Sequence, residues 1–387
     1  MRSLVEDFSV SAAVAAMLAL IVSCAGPVVI ILQAASLAGL SEELTTSWIW
    51  AIFVGSGVTG FMLSLWLKAP IVTASSAPGA ALLLTTLPMI SFEEAIGAYI
   101  VSAVIIIAIG VTGSLDIVMK RIPPAVSAGM FAGILFDFGV NVFASIPAEP
   151  FLVLAMLSVF IVSRRLFPRY AIMPVMAVGA VISYLSGEIA LGNLSLSLAR
   201  PVFTMPTWSW TAVIGVSIPL TLVTLTGQYI SGMAILHTSG YPVRSNGIMS
   251  VTGIFSLLLA PFGAHAINLA ALTAAICTGP DAHEDPAKRY VAGVLLGCFN
   301  TITGLFGITL VALFSLLPAT YTAVLAGLAL IGAFTSAIQV MVNDAENLES
   351  GMVAFLAAAS GMVFLGLGAP FWGVALGGIT CLILKRK

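Results

Sequence analysis

This 387-residue chain carries only fourteen Lys and Arg residues, and their placement constrains its fold more than any motif does. Threading the long apolar stretches through a bilayer as fourteen spans, from an N-terminus inside, sends thirteen of them to one face. These are Arg2, Lys68, Lys120, Arg121, Arg164, Arg165, Arg169, Arg244, Lys288, Arg289, Lys385, Arg386 and Lys387. Arg200 alone falls on the other side. Cytoplasmic loops keep Lys and Arg because basic residues resist translocation. One span too many or too few would reverse the side of every later basic residue. The bias therefore checks span count and orientation together. The expectation is a polytopic bacterial inner-membrane protein with both termini cytoplasmic.

The residue content agrees: 60% hydrophobic, 8% charged, with a mean hydropathy of +1.14, outside the range of a soluble domain. A helix needs about 20 apolar residues to cross a hydrocarbon core, so fourteen spans leave no room for a soluble domain. A net charge of -2 speaks against a nucleic-acid partner. Cys24, Cys277, Cys298 and Cys381 lie in apolar stretches without metal-ligand spacing and read as reduced core thiols. The first apolar run is too long for a signal peptide and lacks a clear cleavage site, so it reads as a retained span. No metal cluster, nucleophile–base pair or phosphate-binding glycine loop occurs at membrane depth. No catalytic residue, metal or cofactor is expected, and an ATP-driven pump is excluded.

The spans are expected at 10–36, 46–67, 69–88, 93–116, 123–143, 150–164, 170–187, 209–236, 245–260, 262–279, 290–316, 319–341, 350–366 and 369–384. The third and tenth are short, begin Ala69-Pro70 and Ala260-Pro261, and carry small polar residues where lipid-facing leucines belong. The longest polar connection, 188–208, lies halfway along the chain. Internal repetition marks the same cut. Pro124-Ala125 with Ala132-Gly133 matches Pro318-Ala319 with Ala326-Gly327 at an offset of 194, as Gly110 and Gly113 match Gly304 and Gly307. Ala69-Pro70 matches Ala260-Pro261 at 191, and Pro27 matches Pro219 at 192. Seven spans per half is an odd number, so the halves face opposite ways. The expected fold is an all-α integral membrane protein with 14 transmembrane segments in two inverted seven-span repeats, 1–190 and 200–387. Segments 3 and 10 are expected to be half-helices preceded by extended stretches. Inverted repeats are the architecture of secondary transporters, with the site near mid-membrane between broken helices.

The chemistry is expected in those two segments. Ile71, Val72 and Thr73 after Pro70 favour an extended stretch. Ser75 and Ser76 before Ala77-Pro78-Gly79 read as a helix start with hydroxyl caps and a first-turn proline. In the second segment, Gly263-Ala264-His265-Ala266-Ile267-Asn268, Asn268 is the expected cap, aligned by the repeat with Ala77. Each half-helix start presents unpaired N–H groups and about half a positive charge. Two converging starts make an anion site without a cationic side chain, although proline and glycine also serve plain kinks in membrane helices. Gly26-Pro27 breaks span 1, letting its backbone approach a ligand. Thr224 and Gln228 share a face of span 8 at i, i+4 and either bind a ligand or join helices.

Three residue runs resemble one known family: Pro78-Gly79-Ala80-Ala81, Ala266-Ile267-Asn268-Leu269-Ala270-Ala271, and, most specifically, Thr278-Gly279-Pro280-Asp281-Ala282-His283-Glu284-Asp285-Pro286-Ala287-Lys288-Arg289. They are similar to the benzoate:proton symporter (BenE) family, related to nucleobase/ascorbate and sulfate/bicarbonate carriers. The resemblance covers essentially the whole length. It implies a core domain from spans 1–4 and 8–11 (1–120 and 205–318) and a gate from spans 5–7 and 12–14 (121–190 and 319–387). Substrate would lie between spans 1, 3, 8 and 10.

The resemblance thus implies proton-coupled uptake of a small aromatic carboxylate such as benzoate, by alternating access in the lipid bilayer, with a homodimer as a possible assembly. Nucleobase carriers of this fold place carboxylates on spans 8 and 10. The counterparts here are the uncharged Gln228 and Asn268, which suits an anion that a carboxylate would repel. His265, in the unwound part of span 10, either lines the substrate site with Ala266 and Asn268 or fills a packed pocket. The proton-coupling candidates are His265 and Asp137, the latter in the gate, where a carboxylate must face protein or water and a structural or gating role competes. His237 reads as interfacial. The competing readings are a passive anion channel or exchanger of the same fold and, more distantly, an integral-membrane enzyme. Asp344, Glu346 and Glu349 depart from the positive-inside pattern, on which acidic residues have little influence. Gly129 with Gly133 and Gly293 with Gly297 read as sites of close helix packing.

Overall fold

The computed structural model describes residues 4, 6–168, 170–188 and 197–384. Arg2, Arg169, Lys385, Arg386 and Lys387, which enter the basic-residue bias, lie outside that set, as does 189–196 of the polar connection. Helix α1 (Val10–Leu37) opens at Ser9, whose hydroxyl accepts from the Ala12 N–H at 3.1 Å. Gly26-Pro27 does not break it, contrary to expectation. Proline offers no N–H and crowds the carbonyl one turn back, and the helix absorbs this by widening into a π turn over Cys24–Val28 before resuming. Helix α2 (Glu42–Leu67) has Ser41 as its cap and Glu42 and Glu43 in its first turn, where negative charge meets the positive helix end. Strand β1 (Thr73–Ser75) and helix α3 (Ala77–Thr86) follow. Helix α4 (Phe92–Thr112) opens with a reciprocal cap between Ser91 and Glu94 and stops at Gly113. Short α5 (Leu115–Arg121), then α6 (Pro124–Ala144), α7 (Pro150–Leu166) and α8 (Ile172–Leu185) complete this half.

The second half begins with α9 (Trp210–Thr238), which contains π turns at Val213–Ser217 and Leu225–Ile230. Then come α10 (Ser245–Leu259), strand β2 (Ile267–Leu269), α11 (Leu272–Thr278), α12 (Tyr290–Leu305), α13 (Gly307–Ser315) and α14 (Ala319–Asn343). Helix α15 (Leu348–Ala359), the hairpin β3 (Val363–Phe364) and β4 (Leu367–Gly368), and α16 (Ala369–Leu384) end the described chain. Among the described residues, seven helices are long and apolar enough to cross a membrane, or eight if a pair bent by 69° around Phe306 is one span. That bend replaces the unbroken span expected over 290–316 and falls between Gly304 and Gly307, residues of weak helix propensity. The span expected over 350–366 is also corrected. Its helix ends at Ala359, and Gly361, Leu365 and Gly366 adopt positive φ to fold the remainder into the hairpin.

The most extensive packing runs α2 along α12, α4 along α10, α6 between α14 and α15, and α15 along α16. Glycines permit the close approach. A Cβ on Gly57 of α2 would lie 2.6 Å from the Gly297 carbonyl, and one on Gly297 of α12 would lie 2.7 Å from the Gly57 carbonyl. Gly129 and Gly133 of α6 meet the backbone of α15 in the same manner. The acidic stretch after α14 has a local purpose. Asp344 accepts from the Ala125 N–H at 3.1 Å, capping the start of α6 with negative charge where that helix has no cap of its own.

Candidate functional site

Strands β1 and β2 pair antiparallel in the register Thr73–Leu269, Ala74–Asn268 and Ser75–Ile267. The ladder extends at both ends, through the Ala270 N–H to the Val72 carbonyl at 2.9 Å and the Ser76 N–H to the Ala266 carbonyl at 3.2 Å. The central pair, Ala74 and Asn268, is separated by 194 residues, the offset of Pro124 from Pro318 and of Gly110 from Gly304, and close to the 191 between Pro70 and Pro261. Asn268 therefore does not cap the second half-helix, as the sequence suggests. Strand pairing extends the chain through this position, so the helix start shifts to α11, with Ala271 at the cap position and no side-chain cap. Asn268 is instead fully buried, and neither its Oδ1 nor its Nδ2 has a hydrogen-bond partner among the described residues. Directly opposed residues share a face of a strand pair, so Asn268 lies on the face of Ala74.

The first half-helix follows its sequence signature more closely. Ser75 ends the strand, and the fully buried Ser76 caps α3 alone, its Oγ accepting from the Gly79 N–H at 3.0 Å. The Thr224 hydroxyl of α9 donates to the same Oγ at 3.2 Å. Ala77 is half-buried. Gly79 has no room for a side chain, because a Cβ would lie 2.6 Å from Leu220 and 2.9 Å from Ser76. Gln228 is buried in the second π turn of α9, a form of helix common at functional sites. His265 is 1% exposed. Its Nδ1 accepts from the Trp48 indole at 3.1 Å, and its Nε2 lies 3.1 Å from the Ser76 carbonyl. The π turn of α1 borders the assembly. Gly26 is buried, and Pro27 lines a cavity of about 20 Å³ with Ser23, Ser56, Ala74, Ser75 and Asn300.

Ser75, Ser76, Ala77, Gly79, Thr224, Gln228, His265, Ala266 and Asn268 are thus gathered around one strand pair, with Gly26 and Pro27 at its edge. Asp137 stands apart, exposed on α6. His237 is exposed at the end of α9 beside the Val243 carbonyl. Sequence reasoning missed Trp48, Tyr99, Ser56 and Asn300. The Tyr99 hydroxyl, Ser56 Oγ and Asn300 Oδ1 are buried without partners among the described residues. Asn300 could have been found as an amide inside an apolar span; Trp48 offers no such signal.

The run from Thr278 to Arg289 also has a structural account. Arg289 donates to the carbonyls of Thr278 at 2.9 Å, His283 at 2.7 Å and Glu284 at 3.3 Å, gathering the loop beneath α11. Tyr290 donates to Asp7 at 2.8 Å and Lys288 lies 3.8 Å from it, so the N-terminal segment docks on this loop.

Known proteins share the sequence and the fold of this chain. The family described as benzoate membrane transport protein matches residues 6–383. The chain is 44% identical over 386 residues to the benzoate membrane transport protein of Acinetobacter baylyi, covering 100% of this chain and 98% of that one. It is 35% identical over 371 residues to the inner membrane protein YdcO of Escherichia coli, covering 96% and 95%. Among solved structures, SLC26A9 superposes with a TM-score of 0.65 at 16% identity; the match covers 96% of this chain and 65% of that longer one. The transmembrane domain of the cyanobacterial bicarbonate transporter BicA gives 0.61 at 14% identity, covering 95% and 97%. At those identities the likeness is one of fold. Apolar helices of membrane length, the Thr278–Arg289 loop and a family match along nearly the whole chain lead to one assignment: this membrane transporter belongs to the benzoate membrane transport protein (BenE) family.

Proposed function

We propose that this chain takes up a small aromatic carboxylate such as benzoate, coupled to protons, by alternating access. The observation that carries the reading is Asn268, a neutral amide buried beside two half-helices with both polar atoms unpartnered. An unsatisfied buried polar group costs about 1–3 kcal/mol, and a carboxylate accepting from Nδ2 removes the donor's share of that cost. The uncapped start of α11 offers further N–H groups, and the Ala77 N–H offers one at α3, where Ser76 already holds that of Gly79. Gln228 supplies a neutral polar contact. The adjoining cavity of about 20 Å³ has room for about one water, so substrate enters only when the elements around it separate.

Fourteen segments in two inverted halves, 1–190 and 200–387, are part of this reading. The strand register is symmetric about an offset of 194. The α2–α12 and α4–α10 interfaces exchange places when each segment is replaced by its counterpart seven further on. Helices of 1–120 and 205–318 form the core and those of 121–190 and 319–387 the gate. Asp137, exposed on α6, is assigned the coupled proton, and both termini are assigned to the cytoplasm. Labelled benzoate in proteoliposomes tests the reading. Saturable counterflow, and accumulation that follows an inward proton gradient, are expected. Conductance without counterflow would make the protein a channel, and uptake indifferent to pH would make it an exchanger. Absence of benzoate counterflow would remove the substrate assignment.

A further inference from the structure

We infer that His265 is a positioning residue, fixed as one neutral tautomer, that braces the start of α3 against α2 and does not carry the coupled proton. Each of its two partners has a single polarity. The indole N–H of Trp48 can only donate, so at 3.1 Å the His265 Nδ1 must be bare. The Ser76 carbonyl can only accept, so at 3.1 Å Nε2 must carry the hydrogen. Of the three states of an imidazole, one satisfies both neighbours. An added proton on Nδ1 would point N–H at N–H, and water is not at hand to relieve the clash, since Trp48 is 0% and His265 1% exposed. Among the described residues, the ring meets Trp48 on α2, at 5.7 Å between ring centres, Tyr99 on α4, at 6.2 Å, and Ser76. None is charged.

The brace ends where the proposed site begins. Ser76 receives His265 at its carbonyl, holds the Gly79 N–H and takes a hydrogen bond from Thr224 at its hydroxyl, and gives its own N–H to Ala266. Trp48, His265, Ser76 and Thr224 thus form one hydrogen-bonded line from α2 to α9, and it sets the direction of the Ala77 N–H. This positioning role rests on the reading of α3 as substrate-facing; the tautomer does not.

The test therefore has two arms. The chain has three histidines, His237, His265 and His283, so nitrogen-15 NMR of the histidine-labelled protein in nanodiscs, assigned with His265→Gln, reads each ring directly. His265 should show a bare Nδ1 and a protonated Nε2, unchanged between about pH 5 and pH 8. Titration of His265 in that range, or a hydrogen on Nδ1, overturns the inference whether or not benzoate is the substrate. In the second arm, glutamine supplies an acceptor and a donor on one planar group but nothing to titrate. His265→Gln should stay within about threefold of the parent in benzoate counterflow and keep its response to a pH gradient, whereas His265→Ala and Trp48→Phe should lose about tenfold or more in affinity. A glutamine variant that keeps counterflow but loses gradient-driven accumulation would make His265 the proton carrier.

Discussion

Asn268 and Arg289 are both buried polar side chains, and they meet the cost of desolvation in opposite ways. Arg289 is satisfied by three backbone carbonyls, one of them Thr278 at the end of α11, where unpaired carbonyls collect. It holds a loop. Asn268 is satisfied by nothing among the described residues, which fits a residue waiting for a ligand. Replacing it separates two contributions. If the proposed site is right, Asn268→Ala takes away a charge-assisted hydrogen bond to the carboxylate, worth about 1.5–3 kcal/mol, and should weaken benzoate affinity by roughly ten- to a hundredfold. Asn268→Asp keeps the size and adds a negative charge, so it should bind more weakly than the alanine variant. Uptake by Asn268→Asp equal to the parent would place the carboxylate elsewhere. At this scale the sequence was legible where the rule is local. Ser76 ahead of Ala77-Pro78-Gly79 is a cap that four adjacent residues define. Asn268 met the same rule and lost to strand pairing, because the competing partner lies 194 residues away. The Trp48–His265 contact spans 217 residues and leaves no local trace.

Elements were legible in proportion to their regularity. Long apolar helices such as α2, α4, α6 and α14 announce themselves by length, and β1 and α3 by proline and β-branched residues. The π turn at Cys24–Val28 did not, since proline in an apolar run signals a kink without revealing how the helix relieves it. The hairpin after α15 was absorbed into an expected span because Val363, Phe364 and Leu365 are as apolar as any helix face. Helix contacts were partly legible through glycine spacing, and this gives a prediction. Gly57→Val would push a branched side chain into the Gly297 carbonyl 2.6 Å from its Cβ, and overpacking of this kind costs about 1–3 kcal/mol. Gly378→Ala, where a Cβ would meet nothing within 4 Å, is the control. Thermal unfolding in detergent should move to lower temperature for Gly57→Val and stay put for Gly378→Ala. Equal melting of the two would mean that α2 and α12 are not held by this contact.

For the whole molecule, the sequence bias makes a claim about sidedness that labelling can check. Single cysteines beside Lys120 and Arg165 should react with impermeant reagents from the cytoplasmic side, and those beside Glu43, Glu93 and Glu149 from the periplasmic side. A cytoplasmic Glu93 loop would break the fourteen-segment assignment. The paired strands bear on a different question, how a protein of this kind acquires a new cargo. Their bonds run between main-chain atoms, and main-chain atoms are indifferent to which side chain they carry. The pairing of Thr73–Ser75 with Ile267–Leu269 therefore does not itself call for an amide at position 268. On the reading proposed above, frame and selectivity are separate, so one small solute could give way to another through one or two point substitutions while the strand pair persists.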